Sequence, residues 1–278
     1  MILPNETFCL GHEINLTEGE NRLPFQGKTV VLQKQDGHVN LFASRLPEPW
    51  AIARVNRVLW LFRVGSTPSV PKLDFQEISG HVEYEYESEF KYVMENLYDL
   101  NHVAGTHART LFAKESNIKN FETDGKTCRF DFRTVTDLDR VATIPLWRKV
   151  LGRILRGNDG VPREQSQPIA IHFPGFLALE APLRARRKKQ KDTLPARTYV
   201  AIYPMSDTRT KIVVFTQSGL PKWLLATLRR LRPNAGTEVF AEDGNILENV
   251  TGEYERKIRL DADTPVDYAR KLYTRYST

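Results

Sequence analysis

Among the metal-binding types of side chain in this sequence, His102, His107 and Asp243 form a set that could bind one transition-metal ion. The two histidines are separated by four residues, so a bend in the chain between them would let both imidazoles face one ion. Two imidazoles and one carboxylate on one side of a metal form a facial triad, whose open positions suit Fe(II) and O₂. Taken alone, this histidine pair is a weak signal, because a single histidine is more often a hydrogen-bonded core residue.

Asp243 lies in a segment with the periodicity of an amphipathic helix, predicted over residues 236–258. Each residue of an α-helix turns by about 100°. That rotation places an apolar stripe within about 60° of Asp243; it comprises Val239, Phe240, Ile246, Leu247, Val250 and Tyr254. An ionised carboxylate on a buried face must find a cation, a metal or several hydrogen bonds. A contact with arginine or tyrosine would meet this need as well as a metal would.

A helix is predicted over Lys91–His102, so that His102 ends it and His107 follows it. In it, Asp99 and His102 have the i, i+3 spacing that brings side chains to neighbouring positions on one face. We expect Gly105 to end the helix and to let His107 turn back toward His102. Glu242, about 100° around its helix from Asp243, is a poorer ligand and suits a supporting role behind the ligands.

The strings around these residues are more specific than the residues alone. The run Asn96-Leu97-Tyr98-Asp99-Leu100-Asn101-His102-Val103-Ala104-Gly105-Thr106-His107 resembles the N-x-x-D-x-x-H-x-x-x-x-H motif of Rieske non-haem iron oxygenases. The run Glu242–Glu248 resembles the E-D-x-x-(hydrophobic)-L-E segment of the same family. This resemblance to the α-subunit family covers roughly residue 78 to the C-terminus. The pheophorbide and vanillate oxygenase branches are the most similar, on the run Asp263–Tyr268.

The resemblance implies an α+β fold with a helix-grip (Bet v1/START-like) catalytic domain, in which a curved antiparallel sheet wraps a long helix. An apolar tunnel would lead to one Fe(II) per chain, with His102, His107 and Asp243 as its ligands. Asp99 matches the acidic residue that links the iron site to the electron donor. The alternation of the sequence independently favours antiparallel strands, predicted at Ile78–Phe90, Thr127–Val135, Ile169–Ala181, Thr198–Tyr203 and Lys211–Gln217.

A Rieske [2Fe–2S] cluster needs two cysteines and two histidines, in pairs spaced C-x-H and C-x-x-H. The chain has only two cysteines, Cys9 and Cys128. Only Cys9 has a histidine at a matching spacing, His12, and this fragment precedes the strands that should come before the cluster loops. We therefore predict that this chain holds no [2Fe–2S] cluster.

The scaffold around the missing cluster nevertheless resembles a Rieske domain. Lys28–Gln33 and His38–Ala43 are β-rich runs joined at Asp36-Gly37, a favoured hairpin turn, and Val58–Val64 resembles the closing strand. Residues 44–56 would replace the cluster-bearing loops. Prolines in Ser66–Leu73 suggest a boundary, which gives a small all-β remnant over residues 1–72 and a catalytic domain over 73–278. An unrelated β lead-in is the alternative.

The predicted function is an oxygenase component that oxidises a hydrophobic aromatic or macrocyclic substrate with O₂. Because a facial triad stores no electrons, a separate Rieske or ferredoxin-type protein must supply them. The family resemblance also suggests a homo- or hetero-trimer. The alternative is a catalytically silent ligand-binding or regulatory subunit of an intact Rieske oxygenase.

Composition and charge narrow the range of protein classes to which this chain could belong. The chain has 278 residues, 41% of them hydrophobic, which is enough to bury a full-sized core. No run of about 18 apolar residues is present, and the few cysteines fit a reducing compartment; we expect a cytoplasmic protein. The net charge is +6, but the basic residues do not form a stripe along a recognition helix, so nucleic-acid binding is not expected. The basic run at residues 184–191 is interpreted as a solvated loop or a docking patch for an acidic donor.

Overall fold

A computed structural model describes residues 6–44, 46, 49–71, 80–100, 102–107, 113–136, 164–180, 183–184, 193–194, 196–218, 227, 230, 237–249 and 263–276. These residues form a mixed fold dominated by antiparallel sheets, with a few helices and a small all-β part at the N-terminus. The predicted fold class is confirmed. The basic run at 184–191 lies outside the described residues except for Arg184.

A seven-stranded antiparallel sheet forms the body of the molecule, in the order β7-β15-β14-β11-β10-β9-β8. Its strands are β7 (Gly80–Tyr86), β8 (Ala113–Asp124), β9 (Thr127–Thr136), β10 (Glu164–His172), β11 (Phe176–Glu180), β14 (Ala196–Pro204) and β15 (Thr210–Ser218). Two short strands, β12 (Leu183–Arg184) and β13 (Thr193–Leu194), pair with each other. Each predicted strand overlaps an observed one, with two corrections. The strand expected over Ile78–Phe90 ends at Tyr86, and Phe90 begins a helix. The single strand expected over Ile169–Ala181 is a hairpin, because the chain turns between His172 and Phe176.

Alternation explains which face of this sheet meets the helices. On β7, Tyr84 and Tyr86 point to the helical side, whereas Glu83 points to the other side and pairs with Lys211 Nζ at 2.7 Å. A row of side chains on the helical side crosses six strands and is entirely apolar; it consists of Val82, Val214, Val200, Leu177, Ile171 and Cys128. The sheet therefore presents an apolar face to the helices.

The described part of the chain contains the α-helices α1 (Phe90–Tyr98), α2 (His102–Thr106), α3 (Thr237–Leu247) and α4 (Thr264–Tyr276), and a short 3-10 helix at Glu13–Asn15. The helix predicted over Lys91–His102 was too long, because α1 ends at Tyr98 and α2 is a separate turn that begins at His102. The helix predicted over residues 236–258 is present over the range of α3, and residues 250–262 lie outside the described part. The assignment of Ile246 to the buried stripe is wrong, since this residue is 50% exposed.

The N-terminal part contains two three-stranded sheets, β1-β6-β5 and β2-β3-β4. Their strands are β1 (Phe8–His12), β2 (Gly19–Phe25), β3 (Lys28–Gln35), β4 (His38–Ser44), β5 (Trp50–Val55) and β6 (Val58–Arg63). The predicted hairpin is confirmed, with Asp36 and Gly37 at φ +50° and +75° as a two-residue turn requires. Residues 44–56, interpreted as a replacement for loops, contain the strand β5.

This N-terminal part packs on the face of the large sheet that the helices leave free. The rings of Trp60 and Phe176 lie 5.0 Å apart, and a side chain at Gly11 would come within 3.0 Å of Val213. Phe8, in turn, lies 5.9 Å from Phe90 of α1. The buried residues of both parts form one continuous hydrophobic core.

Candidate metal centre

His102, His107 and Asp243 come together between α2 and α3. Nε2 of His107 lies 3.1 Å from Oδ1 of Asp243 and 3.3 Å from Nε2 of His102. His102 Nε2 is 3.5 Å from the same carboxylate oxygen. These are the three residues predicted as metal ligands, and within the described ranges they form the one group of three or more metal-binding side chains close enough to share an ion.

The break between α1 and α2 positions His102. At Asp99 the backbone leaves the helical conformation, with φ −86° and ψ 80°. The Asp99 carbonyl then accepts a hydrogen bond from Nδ1 of His102, which leaves Nε2 facing the site. The predicted i, i+3 pairing of the two side chains on one helix is therefore replaced by a contact between a side chain and a backbone carbonyl.

His107 follows directly after α2, where its backbone N–H donates to the Val103 carbonyl at 3.2 Å. The helical turn itself thus carries the ring toward His102, and the expected bend at Gly105 is not needed. Nδ1 of His107 lies 3.0 Å from Oε2 of Glu242 on α3. As with His102, the hydrogen bond at Nδ1 directs Nε2 into the site.

Burial lowers the pKa of both rings and the nearby carboxylates raise it, but the balance differs between the two. Burial lowers the pKa of His102, which outweighs the nearby carboxylate of Asp243. Burial also acts to lower the pKa of His107, but the carboxylates of Asp243 and Glu242 outweigh it and raise this pKa above its usual value. The centre therefore contains a neutral imidazole at His102 beside an imidazole whose cationic form is favoured by two acidic neighbours.

The donor set fits a metal ion. Oδ1 of Asp243 is buried and has no hydrogen-bond partner of suitable geometry among the described residues. With both Nδ1 atoms engaged, both Nε2 atoms face this oxygen and each other. Ligand atoms about 2.1 Å from one ion and at right angles lie about 3.0 Å apart, close to the separations observed here. Nitrogen and oxygen donors in this ratio suit Fe(II).

Other residues singled out in the sequence have different surroundings. The side chain of Asp99 is half-buried beside the centre. Glu95 points away, to Arg270 Nη2 of α4 at 2.5 Å. Tyr98 is fully buried in the core.

Sequence reasoning missed Tyr86, which lies beside Gly244, the neighbour of the candidate ligand Asp243. It is 1% exposed, and its ring edge is 3.6 Å from the position that a side chain at Gly244 would occupy. Its hydroxyl is buried without a hydrogen-bond partner among the described residues. Burial raises the pKa of this hydroxyl, and Asp243 is the strongest charged neighbour acting in the same direction. The alternation of β7 predicted the face of Tyr86 but not its neighbour on α3.

A cavity of about 720 Å³ lies on the face of the seven-stranded sheet that is opposite to the helices. Its lining includes Val70, Arg129, His172 and Tyr199 and none of the three candidate ligands. It is therefore separate from the tunnel expected to lead to the metal. No helix in the described part of the chain is both long enough and apolar enough to cross a bilayer.

Comparisons with known proteins agree with this architecture. The sequence model of the vanillate O-demethylase oxygenase C-terminal domain matches residues 86–276. Dicamba monooxygenase bound to 3,6-dichlorosalicylic acid superposes with a TM-score of 0.68 at 10% identity, over 99% of this chain and 97% of that chain. NdmA of Pseudomonas putida CBB5 with caffeine superposes with a TM-score of 0.64 at 14% identity, over 98% and 90%. No curated protein sequence matches significantly.

The chain therefore belongs to the Rieske oxygenase α-subunit family, through its vanillate O-demethylase-type C-terminal domain. The match covers both α2 and α3, which carry the candidate ligands. The family resemblance inferred from the two motifs is confirmed. At this low identity the solved structures establish the fold only.

Proposed function

We propose that this chain is an oxygenase component that holds one Fe(II) through His102, His107 and Asp243. The observation that carries the proposal is the convergence of two Nε2 atoms and one buried carboxylate oxygen at 3.1–3.5 Å. Family membership supports the same assignment. Bound Fe(II) would supply open coordination positions at which O₂ can be activated.

The protein side chains have separate tasks in this centre. The Asp99 carbonyl and the Glu242 carboxylate hold the Nδ1 protons of the two histidines, so that both Nε2 atoms remain free to bind metal. Asp243 contributes the negative charge. His107 and Asp243 are buried, and electrostatic interactions between buried groups are stronger than in water.

The substrate in this proposal is a hydrophobic aromatic or macrocyclic compound. Support comes from the apolar row that crosses the helical face of the sheet, the face on which α3 packs. The superposing structures were solved with 3,6-dichlorosalicylic acid and caffeine, both planar aromatic compounds that carry polar groups. The Tyr86 hydroxyl has no hydrogen-bond partner among the described residues and would donate a hydrogen bond to an acceptor on the substrate.

Electrons would come from a separate Rieske or ferredoxin-type protein. The chain's two cysteines cannot ligate a Rieske cluster, so an internal source is missing. Asp99, half-buried at the edge of the centre, would link the iron site to the donor's cluster in a homo- or hetero-trimer. Residues 1–72 would be the remnant of a Rieske domain, and the superposition over nearly the whole chain supports this division.

Iron binding tests the proposal directly. Protein reconstituted anaerobically with Fe(II) should hold about one equivalent per chain, and a His102→Ala/His107→Ala variant should hold none. A His38→Ala/His81→Ala variant is the matched control, because both of these histidines are exposed. Stoichiometric iron in the first variant would remove the proposed site.

Turnover distinguishes an oxygenase from a silent subunit. The iron-loaded protein should consume O₂ and oxidise an aromatic substrate when a Rieske protein and its reductase are added. Iron binding without any turnover across a panel of donors and substrates would favour a ligand-binding or regulatory subunit instead.

A further inference from the structure

Helix α3 contacts both ring nitrogens of His107 through two adjacent residues. Oδ1 of Asp243 lies 3.1 Å from Nε2, and Oε2 of Glu242 lies 3.0 Å from Nδ1. Adjacent helical residues are about 100° apart around the axis, so their carboxylates can reach opposite edges of one ring. His107 is thus held between two acids from a single turn of helix.

The two histidines of the centre differ in what holds them. Nδ1 of His102 donates to a neutral backbone carbonyl, that of Asp99. Nδ1 of His107 donates to a carboxylate, whose side chain is only 23% exposed and so is partly shielded from solvent. A hydrogen bond to a charged acceptor is stronger than one to a neutral acceptor, and it increases the electron density on the imidazole.

We propose that Glu242 is a positioning residue that orients His107 for the metal and brings the charge of the occupied centre to zero. Asp243 and Glu242 together carry two negative charges, which balance a divalent ion held by two neutral imidazoles. The second negative charge favours the ferric over the ferrous state and lowers the potential of the Fe(III)/Fe(II) couple. This inference rests on the proposed function, since it requires metal at His102, His107 and Asp243.

Two substitutions separate orientation from charge. In Glu242→Gln, the amide oxygen can still accept the N–H of His107 but the negative charge is lost. In Glu242→Ala, both are lost. Glu238→Gln removes the same charge one turn earlier on α3 and is the matched control. Circular dichroism of each variant verifies that it folds.

Co(II) is the first probe, because its visible absorption reports ligand geometry without turnover. Glu242→Ala should bind Co(II) 10–100-fold more weakly, the usual effect of removing a group that supports a metal ligand, with an altered spectrum. Glu242→Gln should bind within a few-fold of the unmodified protein. Wild-type affinity and spectrum in Glu242→Ala would overturn the positioning role.

The potential of bound iron is the second readout, measured by anaerobic spectroelectrochemistry. It should rise in Glu242→Gln and stay unchanged in Glu238→Gln. An unchanged potential in Glu242→Gln would overturn the charge role while leaving the metal centre intact. If the unmodified protein binds neither Co(II) nor Fe(II), the proposed function itself is wrong, and this inference with it.

Discussion

Nε2 of His102 lies 3.3 Å from Nε2 of His107, in a buried site where both rings already use Nδ1 in a hydrogen bond. Two lone pairs at this distance repel unless a proton or a metal ion lies between them. The protonated form is favoured at His107, next to Asp243 and Glu242. A divalent ion would replace that proton and engage all three ligand atoms at once.

Metal-linked stability should therefore depend on Asp243. Adding Fe(II) or Zn(II) at 100 times the dissociation constant should stabilise the unmodified protein by about 2.7 kcal/mol, since only the folded state holds the site. Asp243→Asn should show little or no such gain. Anaerobic thermal unfolding with and without metal measures the difference. Asp36→Asn, in an exposed hairpin turn, serves as the control, and an equal gain in Asp243→Asn would contradict the assignment.

Tyr86→Phe should leave the fold intact and make it slightly more stable. The Tyr86 hydroxyl is buried without a partner among the described residues, and such a group costs about 1–3 kcal/mol. We expect the free energy of unfolding in urea to rise by about 1 kcal/mol. In an active reconstituted system the KM for substrate should increase, because the proposed hydrogen bond is lost. A clear loss of stability would show that the hydroxyl has a structural partner.

Because of His172, the free energy of unfolding should fall in mild acid. This ring is buried on the face of the seven-stranded sheet opposite to the helices. Its Nδ1 lies 2.8 Å from Thr127 Oγ1 and its Nε2 lies 2.9 Å from the Ser69 carbonyl. Burial lowers its pKa from 6.5 to about 4. Because the folded pKa is depressed, the neutral ring stabilises the fold fully above pH 6.5, and this contribution is lost as the pH falls toward 4.

The loss expected from His172 is about 3 kcal/mol, since one pKa unit corresponds to about 1.4 kcal/mol. Urea unfolding at intervals between pH 7.5 and 4.5 measures it, and His172→Gln should flatten the curve. His12, whose pKa burial also lowers to about 4, should keep part of the slope in that variant. Identical slopes with and without His172 would show that its ring does not titrate in this way.

The sequence predicted the elements that have clear periodicity. Tyr84 and Glu83 alternate on β7 with one buried and one wet side, and the Asp36-Gly37 pair has the chemistry of a hairpin turn, so both features were found. The strand β8 was missed, because this edge strand is mostly polar and lacks an apolar side to recognise. β10 and β11 merged into one prediction, since the apolar end of β10, from Ile169, is separated from β11 by only a short turn.

The sequence predicted the residues of the candidate site better than it predicted their geometry. Motif spacing identified His102, His107 and Asp243, and helical rotation placed Glu242 behind them. The break at Asp99 has no local signal, because no glycine or proline stands between Asn96 and His102 to mark it. The contact between Tyr86 and the Asp243–Gly244 turn joins residues more than 150 positions apart, and no local pattern reports such a pairing.

The final prediction concerns Asp99, whose backbone and side chain have different tasks. His102 is held by the Asp99 carbonyl rather than by its carboxylate, so Asp99→Asn preserves the contact that orients the ligand. Iron content should stay near that of the unmodified protein. The substitution does remove the negative charge proposed to orient the cluster histidine of the electron donor, so turnover driven by a Rieske partner should fall at least tenfold.

Peroxide provides the internal control for Asp99→Asn. If peroxide can replace O₂ plus electrons in the unmodified protein, product formation by that route should be far less affected, because it bypasses the donor. Iron content, donor-driven turnover and peroxide-driven turnover are measured on the same preparation. Full donor-driven activity would contradict the bridging role, whereas loss of iron would make the Asp99 side chain a structural support for His102.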